Sequence, residues 1–425
     1  MDPSANELMI QSSPVPVDEI LEALDLSRAE PGSGFLEALA SRFNARVLFE
    51  SATKILRDAR VSESREKPRH PEAFWREHLE RGSGGTCFAR VAAFDALLSE
   101  LGFEVARLLG GVERDFDHAA LCVRLGDKQW ICDVGFPLPA LLPWGAGAVE
   151  TSLGTLAVSR TPRGFHVSWG RGVPAGPSEI EIFGEPASEA EFEHRWRDTF
   201  RKGTRFLSSV RLSRQTNEQI VSFARGEIRV DDRHTRLSVP ITQARPQRLA
   251  EIFGIDAPLL QEAFAIAGDP APVETEPRLT AYLETPESAA EAFAAIADGP
   301  SYQRLWEGIA EVADAQIGER LWAWVLLPPA SAETVPPPKL TEEVTCDRDR
   351  RELSVRRSIG GRETRGAFRV EEHSGKTYLV RDAVLPGAGE DLLRHDAHRG
   401  RLAGTLSVDL LAWARLIPSG PASPG

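Results

Sequence analysis

Residues 81–88 read Arg-Gly-Ser-Gly-Gly-Thr-Cys-Phe, a glycine-rich loop that ends at Cys87. Apolar residues then recur at helical spacing as far as Leu101, and Gly102 follows as a stop signal. This pattern predicts a helix over 87–101 with Cys87 near its N-terminus, where the partial positive charge of a helix favours a thiolate. The glycines before Cys87 would let the backbone approach a ligand or a developing oxyanion closely.

A predicted β-hairpin follows this helix. Strands at 118–125 and 128–134 are joined by Gly126-Asp127, and glycine at the first of two loop positions suits a type II′ turn. In the register that pairs the two residues flanking this turn, His118 and Asp133 share one face as diagonal neighbours, about 5–8 Å apart at Cβ. An imidazole–carboxylate hydrogen bond is within reach in that register.

Cys87, His118 and Asp133 together suggest a catalytic triad. A thiolate nucleophile needs a base that exchanges its protons, and the base needs a group that orients it. Each residue alone has a simpler explanation: a buried apolar cysteine, a surface histidine and an aspartate in a turn. The hypothesis depends on their combination, a thiol at a loop-to-helix junction and two partners on one hairpin face.

The rest of the chain divides into helical and β-rich segments, with a linker between two expected domains. The predicted elements of the first part are helices within 15–80, a strand at 103–112, a β-rich segment at 151–240 with a helix near 187–201, and helices over 246–264 with a break at Gly254. A break in composition at 267–272, Ala-Gly-Asp-Pro-Ala-Pro, then predicts a linker. We therefore expect domains at 1–268 and 269–425.

The pattern restarts after the linker. A strand at 279–284 precedes a helix that Thr285 would cap, with Pro286 in its first position. A short second helix is expected around Tyr302. The remaining predicted elements are strands near 320–327, 353–358, 364–371 and 376–384 and a last helix near 405–416.

Composition restricts the class of protein. A formal net charge of −13 and a pI near 5.3 argue against non-specific binding of nucleic acid. The N-terminus shows no signal-peptide pattern, and no apolar run reaches the roughly 20 residues needed to span a membrane. Four cysteines in 425 residues do not form a disulfide framework. We expect a cytoplasmic protein without nucleic-acid or membrane partners, in which Cys87 stays a thiol.

The stretch 81–137 resembles the arylamine N-acetyltransferases, whose pattern is Arg-Gly-Gly-x-Cys, then His-x-x-Leu, then Asp-Val-Gly-Phe. The corresponding residues are 84–87, 118–121 and 133–136, and a more diffuse likeness covers about 15–265. The resemblance implies an α+β fold with an N-terminal helical bundle, a β-barrel and an α/β lid. It also implies that Cys87 is the nucleophile, His118 the base and Asp133 the orienting group.

The same resemblance implies acetyl-CoA, or another acyl thioester, as co-substrate, with no bound cofactor and no metal. The cysteine would accept the acetyl group as a thioester and pass it to an arylamine, hydrazine or arylhydroxylamine. Backbone N–H groups near Cys87 would stabilise the oxyanion. We expect Gly84, Gly85, Thr86 and Phe136 to contact the substrate.

Some residues depart from the family pattern. Ser83 resembles an insertion in the Arg-Gly-Gly turn, and Ala89 and Arg90 stand where the family has an acidic residue and its neighbour. Pro137 follows Phe136 where glycine is usual. These changes concern the surroundings of the triad rather than its members.

The segment from about 275 to 418 resembles the START or polyketide-cyclase superfamily. The likeness depends on the strand before Thr285-Pro286-Glu287 and on residues 302–308, Tyr-Gln-Arg-Leu-Trp-Glu-Gly. It implies a helix-grip fold, a curved antiparallel sheet around a long C-terminal helix, which encloses an apolar cavity for a hydrophobic small molecule.

Three functions are compatible with these observations. The first is an acyltransferase that moves an acyl group from CoA to an amine through a Cys87 thioester. The second keeps the triad but takes the acyl chain from a carrier protein, as an amide synthase in secondary metabolism. The third is a catalytically degenerate protein that binds a hydrophobic ligand. The pKa of the Cys87 thiol distinguishes the first two from the third.

Overall fold

A computed structural model of the chain describes residues 15–173, 179–204, 206–241, 245–268, 271–272, 276–306, 311–318, 321–327, 340–359, 362–373, 375–386, 393 and 396–417. These residues form two compact units. Unit 1 comprises the described parts of Met1–Gly170, Pro177–Gly226 and Thr242–Ala271, and unit 2 those of Arg171–Gly176, Glu227–Ile241 and Pro272–Gly425. Asp269 and Pro270 of the expected linker, and Glu307 and Gly308 of the C-terminal motif, lie outside the described residues.

The N-terminal part of unit 1 is a bundle of helices, as predicted. They are α1 Val17–Ala23, α2 Ser33–Arg46, α3 Ala52–Arg60, α4 Pro71–Arg81 and α5 Cys87–Glu100, with a 3-10 turn at Ser64–Glu66. The proline at the start of α4 fills a position without an intrahelical N–H bond, and Gly82 ends this helix with φ of +64°. Aromatic side chains of α2, α4 and α5 meet in the core, where the Phe43 and Phe94 ring centroids lie 4.7 Å apart.

Eight antiparallel strands form a nearly closed barrel. They are β2 Glu104–Gly111, β3 Asp115–Leu125, β4 Lys128–Cys132, β5 Leu142–Pro143, β6 Gly147–Thr151, β7 Gly154–Thr161, β8 Gly164–Gly170 and β9 Glu179–Pro186, in the order β5-β4-β3-β2-β9-β8-β7-β6. Strands β3 and β4 pair Leu125 with Lys128, which confirms the predicted register. Gly126 between them has φ of +58°, as the first position of a type II′ turn requires.

The rest of unit 1 contains short strands and three helices. The elements are β1 Phe49–Glu50, β10 Leu212–Gln215, β11 Ile220–Ala224, α6 Glu189–Asp198, α7 Arg245–Phe253 and α8 Ala257–Ala267. Strand β10 pairs with both β1 and β11. Helices α7 and α8 are separated at Gly254, which has φ of +73°, so the predicted break is confirmed.

Unit 2 consists of one antiparallel sheet and a long helix. Its strands are β12 Glu227–Asp231, β13 Thr235–Pro240, β14 Arg278–Thr285, β15 Glu311–Ile317, β16 Leu321–Leu327, β17 Leu340–Asp347, β18 Glu352–Ile359, β19 Arg362–His373 and β20 Lys376–Val384, in the order β12-β13-β14-β20-β19-β18-β17-β16-β15. Its helices are α9 Ala289–Ala294, α10 Gly299–Gln303 and α11 Asp396–Leu416, with a 3-10 turn at Arg304–Trp306. Helix α11 packs against β14 and β20.

Two predictions in unit 2 were wrong. Thr285 does not cap a helix, because it continues β14 and pairs with Thr377. Helix α9 begins after Ser288, which accepts a hydrogen bond from the backbone N–H of Glu291 while the Glu291 carboxylate accepts one from the Ser288 N–H. This capping box satisfies two otherwise unpaired donors. The last helix begins at Asp396 instead of 405.

The interior of unit 2 contains charged as well as apolar side chains. Glu342 is fully buried and accepts hydrogen bonds from the Trp306 indole at 3.2 Å and from Nε of Arg357 at 2.5 Å. Nε of Arg381 donates to the carboxylate of Asp409 on α11 at 2.9 Å. Burial opposes the charge of Arg357, but the carboxylate of Glu342 overcomes this and raises the pKa of the guanidinium. Any ligand held near these residues would therefore meet ion pairs as well as aromatic rings.

None of the described helices has the combination of length and apolarity needed to cross a lipid bilayer.

Candidate active site

Cys87 is the first residue of α5. Thr86 before it is extended, with φ of −82° and ψ of 176°, so the helix begins abruptly at the cysteine. The thiol is 8% exposed, and its Sγ atom lies 3.6 Å from the carbonyl oxygen of Asp117, to which it donates. The first backbone N–H groups of a helix have no intrahelical partner, so they direct partial positive charge towards this sulfur.

The glycine loop before Cys87 is held against the strand at 49–50. Gly85 donates its backbone N–H to the carbonyl of Leu48 at 3.1 Å, and its own carbonyl accepts from the N–H of Glu50 at 3.1 Å. A Cβ atom on Gly84 would lie 1.8 Å from the Leu48 carbonyl oxygen. Packing against the protein's own backbone thus already requires glycine at 84, apart from any contact with substrate.

His118 and Asp133 form a buried pair. Nε2 of His118 lies 2.8 Å from Oδ2 of Asp133, and both side chains are almost completely buried. His118 lies on β3, but β4 ends at Cys132, so Asp133 follows the strand that was predicted to continue to Val134. Because Nε2 faces the carboxylate, Nδ1 is the ring nitrogen left for the thiol of Cys87.

Backbone groups after Asp133 fix its carboxylate. Oδ1 accepts a hydrogen bond from the N–H of Phe136 at 2.8 Å, and the Asp133 carbonyl accepts from the N–H of Leu138 at 3.0 Å. Pro137 lies between these two donors, and neither hydrogen bond needs an N–H at its position. The proline that departs from the family pattern is therefore compatible with this turn.

Gly135 lies between the side chains of Cys87 and His118. A Cβ atom there would be 3.1 Å from both the Cβ of Cys87 and Cε1 of His118, and 2.3 Å from the carbonyl oxygen of Ala119. The third residue of the Asp-Val-Gly-Phe motif is glycine because no side chain has room at this point.

Electrostatics favour a charged imidazole. Burial alone would lower the pKa of His118, but the neighbouring Asp133 carboxylate and a hydrogen bond with Cys87 raise it to about 10. Burial raises the pKa of Cys122 and Cys132, the two cysteines on barrel strands. Of these three thiols, only Cys87 has an imidazole beside it.

Arg90, which departs from the family pattern, is a structural support. It is completely buried and donates to the carbonyls of Val134, at 2.7 Å, and Val47, and to Oδ1 of Asn44 at 2.8 Å. Burial lowers the pKa of Arg90 to about 9, against the attraction of Asp133 and Cys87. This guanidinium ties the backbone beside Asp133 to the end of α2, a role that the sequence did not reveal.

Ser83 is also integrated into the fold. It is fully buried, and its carbonyl lies 2.8 Å from Nδ1 of His78. Its hydroxyl lies 3.4 Å from the guanidinium of Arg69, which also donates to the carbonyl of Gly84. Arg69 could not be predicted from the sequence, since nothing in the residues around it points to the glycine loop.

The buried position of Lys54 could not be predicted from the sequence either. This lysine on α3 is only 6% exposed, and its Nζ atom lies 5.1 Å from the centroid of the Phe200 ring. Burial lowers the pKa of Lys54 to about 8. A lysine in a helical pattern ordinarily predicts a solvent-exposed face, so only the structure reveals this buried cation.

Phe136 donates its N–H to Asp133, and Thr86 is the residue before Cys87. The Phe136 ring is half-buried and lies edge-on to Trp169, with 6.3 Å between the centroids. Thr86 is buried, and its carbonyl accepts a hydrogen bond from the N–H of Arg90.

In the part of the chain that the structure describes, no group of three or more His, Cys, Asp or Glu side chains is placed to hold a metal ion.

Comparison with known proteins identifies relatives of part of this chain. Residues 35–151 match the N-acetyltransferase family. Arylamine N-acetyltransferase from Escherichia coli is 42% identical over 60 residues, which is 12% of this chain and 21% of that protein. Proansamycin X synthase from Amycolatopsis mediterranei is 33% identical over 86 residues, 18% of this chain and 33% of that protein. The chain thus spans a third or less of the length of these two curated relatives.

Solved structures extend the likeness to the fold. An arylamine N-acetyltransferase variant from Mycobacterium smegmatis superposes with a TM-score of 0.51 at 21% identity, over 60% of this chain and 98% of that protein. The enzyme from Salmonella typhimurium gives 0.51 at 18% identity, over 59% of this chain and 97% of that one. The chain therefore contains the arylamine N-acetyltransferase fold, with its eight-stranded barrel and mixed helices and strands.

Proposed function

We propose that this protein is an acyltransferase that moves an acetyl or other acyl group from CoA to an arylamine or related amine through a Cys87 thioester. The observation that carries the proposal is the thiol at the first residue of α5, beside an imidazole that is paired with a buried carboxylate at 2.8 Å. The family match over 35–151 and the likeness to the fold support it.

The first half-reaction forms the thioester. The Cys87 thiolate attacks the carbonyl carbon of the donor thioester, and N–H groups at the start of α5 stabilise the oxyanion. The bond between that carbon and the CoA sulfur breaks, and the imidazolium of His118 gives its proton to the departing thiolate. Asp133 holds the imidazole in position and stabilises its charged form.

The second half-reaction delivers the acyl group. The amine nitrogen attacks the Cys87 thioester, and His118, now neutral, takes the proton that the nitrogen loses. The bond between carbonyl carbon and Cys87 sulfur breaks, which returns the thiolate–imidazolium pair. In this proposal Gly84, Gly85 and Thr86 shape the loop at the nucleophile, and Phe136 supplies an aromatic wall for the acceptor.

The test is intact-mass analysis after incubation with acetyl-CoA. We expect one acetyl adduct on the wild-type protein, none on Cys87→Ser, and loss of the adduct when an aniline or hydrazine is added. An unlabelled wild-type protein whose thiol reacts with iodoacetamide at an apparent pKa near the free value of about 8.5 would contradict the triad.

The second candidate keeps the chemistry and changes the donor. The match to proansamycin X synthase favours an amide synthase that takes an acyl chain from a carrier protein. The same mass experiment separates the two, because this candidate predicts acylation of Cys87 by a loaded carrier protein and none by CoA thioesters.

We propose that residues 269–425, which form most of unit 2, are a START-like module that binds a hydrophobic small molecule. Supporting this proposal, α9 and α10 follow β14, six strands come next, and the long α11 packs on β14 and β20. Titration with a fluorescent apolar dye tests it. Saturable binding that quenches tryptophan emission is expected, and no binding to the folded protein would contradict it.

A further inference from the structure

The main-chain carbonyl of Asp117 lies at the nucleophile. Its oxygen is 3.6 Å from Sγ of Cys87, and Asp117 is the residue immediately before His118. The imidazole approaches the same cysteine, since the Cβ position of Gly135 is 3.1 Å from both Cβ of Cys87 and Cε1 of His118. Consecutive residues of β3 thus bring an imidazole and a carbonyl to one thiol. Acyl transfer as proposed uses the imidazole and gives the carbonyl no role.

The chain is irregular where it presents this carbonyl. The pairing of β2 with β3 shifts between Gly110 and Gly111, and two extra residues of β3, Phe116 and Asp117, form a bulge there. Phe116 has φ of +65°, in the left-handed region that a bulky residue rarely adopts. Bulges beside active sites change the direction in which a strand presents its groups. This bulge therefore sets the direction of the Asp117 carbonyl.

The side chain of Asp117 holds the bulge in place. Its carboxylate accepts hydrogen bonds from three successive residues of the turn between β2 and β3, namely the backbone N–H groups of Val112 at 2.8 Å, Glu113 at 3.3 Å and Arg114 at 3.1 Å. The carboxylate and the carbonyl belong to the same residue, so these three bonds restrain the atom that faces Sγ. Loss of the carboxylate would release the turn and the carbonyl together.

The ring of Phe116 anchors the bulge from the other side. Its centroid lies 5.0 Å from that of Phe183, and the guanidinium carbon of Arg195 is 3.8 Å from it. Strained backbone persists only where surrounding contacts determine it, and it is concentrated at functional sites. A function for the carbonyl at Sγ would account for the strain at Phe116.

The donor to this carbonyl disappears during the reaction. In the thiol form the sulfur donates to the Asp117 oxygen. The acylated sulfur has no hydrogen, so it donates nothing. A carbonyl oxygen has two lone pairs, so one remains for a new donor even beside a main-chain hydrogen bond. The acyl-enzyme therefore presents a hydrogen-bond acceptor next to the carbon that the amine attacks.

We infer that the Asp117 carbonyl accepts a hydrogen bond from the acceptor nitrogen as this nitrogen attacks the Cys87 thioester. The inference rests on the proposed acyl transfer and adds a second contact for the attacking amine. In the tetrahedral intermediate the nitrogen and the sulfur are bonded to one carbon, so an oxygen 3.6 Å from Sγ is within hydrogen-bond reach of the nitrogen. This bond orients the amine for attack. The carbonyl is the catalytic group, and the Asp117 carboxylate positions it.

The two N–H groups of a primary amine have different partners in this scheme. One proton passes to His118 as the bond from nitrogen to the acyl carbon forms and the bond from that carbon to sulfur breaks. The other hydrogen stays on nitrogen in the product amide and donates to the Asp117 carbonyl. A secondary amine has one N–H only and gives it to His118, so it makes no bond to Asp117. The carbonyl therefore favours primary over secondary amines.

The experiment measures this preference in the acetyl-enzyme. Its discharge by aniline and by N-methylaniline is followed by intact mass in wild type, Asp117→Ala, Asp117→Asn and the control Asp127→Ala, whose aspartate is exposed in the turn between β3 and β4. We expect the ratio of the aniline rate to the N-methylaniline rate to fall about three- to tenfold in Asp117→Ala, since one hydrogen bond is lost. Asp117→Asn keeps one acceptor oxygen and should fall less, and Asp127→Ala should match wild type.

A ratio that does not change in Asp117→Ala would overturn the inference, even if both amines react more slowly. Equal slowing would mean that the carboxylate only supports the fold. If Asp117→Ala does not fold, the ratio in Asp117→Asn decides instead, and a value equal to that of wild type overturns the inference.

Failure of the acetyl-CoA reaction is distinguished by a second donor. If acetyl-CoA leaves wild type unlabelled, 4-nitrophenyl acetate is used to acetylate Cys87, with Cys87→Ser as the control for other sites. An adduct from this ester alone would refute CoA as the donor, and the ratio of the two amines would still test the Asp117 carbonyl. No adduct on Cys87 from either donor would overturn both proposals.

Discussion

Replacing Lys54 by methionine is expected to make the protein more stable. Burial lowers the pKa of this lysine from 10.5 to about 8, and each pKa unit corresponds to about 1.4 kcal/mol. Keeping the protonated amine in the folded state at pH 7 therefore costs about 3 kcal/mol. Methionine has a similar length and no charge, so Lys54→Met should recover most of this free energy of unfolding.

The pH dependence of this gain is fixed by the same shift. Between pH 8 and 10.5 the unfolded chain holds a proton at Lys54 that the folded chain has released, so wild-type stability rises with pH there. The advantage of Lys54→Met should be full below pH 8 and largely gone by pH 10.5. The exposed control Lys128→Met should change stability by only a few tenths of a kcal/mol at any pH.

Urea unfolding with pulsed alkylation of Cys132 provides the assay. Cys132 is 1% exposed in the barrel of unit 1, so its labelling reports the opening of that unit and not of unit 2. A variant less stable than wild type at pH 7, or an advantage that does not change between pH 8 and 10.5, would refute the reasoning. The expected result would identify Lys54 as a residue at which stability is lower than it could be, as at many functional sites.

Three further changes test the site. Asp133→Asn should lower the free energy of unfolding by about 3–5 kcal/mol near pH 7, because the buried partner of His118 is lost. In wild type the stabilisation by the His118–Asp133 pair is complete below pH 6.5 and disappears as pH rises through the His118 pKa of about 10. Urea unfolding should therefore show the stabilities of the two proteins converging at alkaline pH. Gly135→Ala should abolish acylation of the folded protein, measured by intact mass, since the added Cβ would overlap a backbone oxygen. Gly145→Ala is the control and should leave acylation unchanged, since its Cβ would have nothing within 4 Å. A lysine side chain cannot reach all three acceptors of Arg90, so Arg90→Lys should lower the free energy of unfolding by about 1–3 kcal/mol in urea titrations. Equal stability of the variant and wild type would contradict the structural role of Arg90.

The hairpin shows how far local sequence can specify a site. Gly126-Asp127 determines the turn, the turn determines the register, and the register places His118 and Asp133 on one face. All three steps depend on residues close in sequence, so they could be predicted. The strand itself stops at Cys132, and Asp133 is then held by a turn through Phe136 and Leu138 instead of by strand pairing.

Features that depend on distant residues could not be predicted. The Phe200 ring beside Lys54 and the three acceptors of Arg90 lie in segments up to 150 residues away in sequence, and no local pattern predicts these contacts. The capping box at Ser288 was hidden by Thr285 and Pro286, a second cap signal three residues earlier. The first turns of α11 are polar, so periodicity alone detects only its later part, where Leu406, Leu410 and Trp413 are buried.

The burial of helix α5 also limits the mobility of Cys87. Its residues from Cys87 to Phe94 are all buried in the core of unit 1. Such a segment belongs to the cooperative part of a protein that opens only in global unfolding, unlike a loop that opens by itself. We therefore expect that the reactivity of Cys87 under native conditions does not depend on local unfolding of α5.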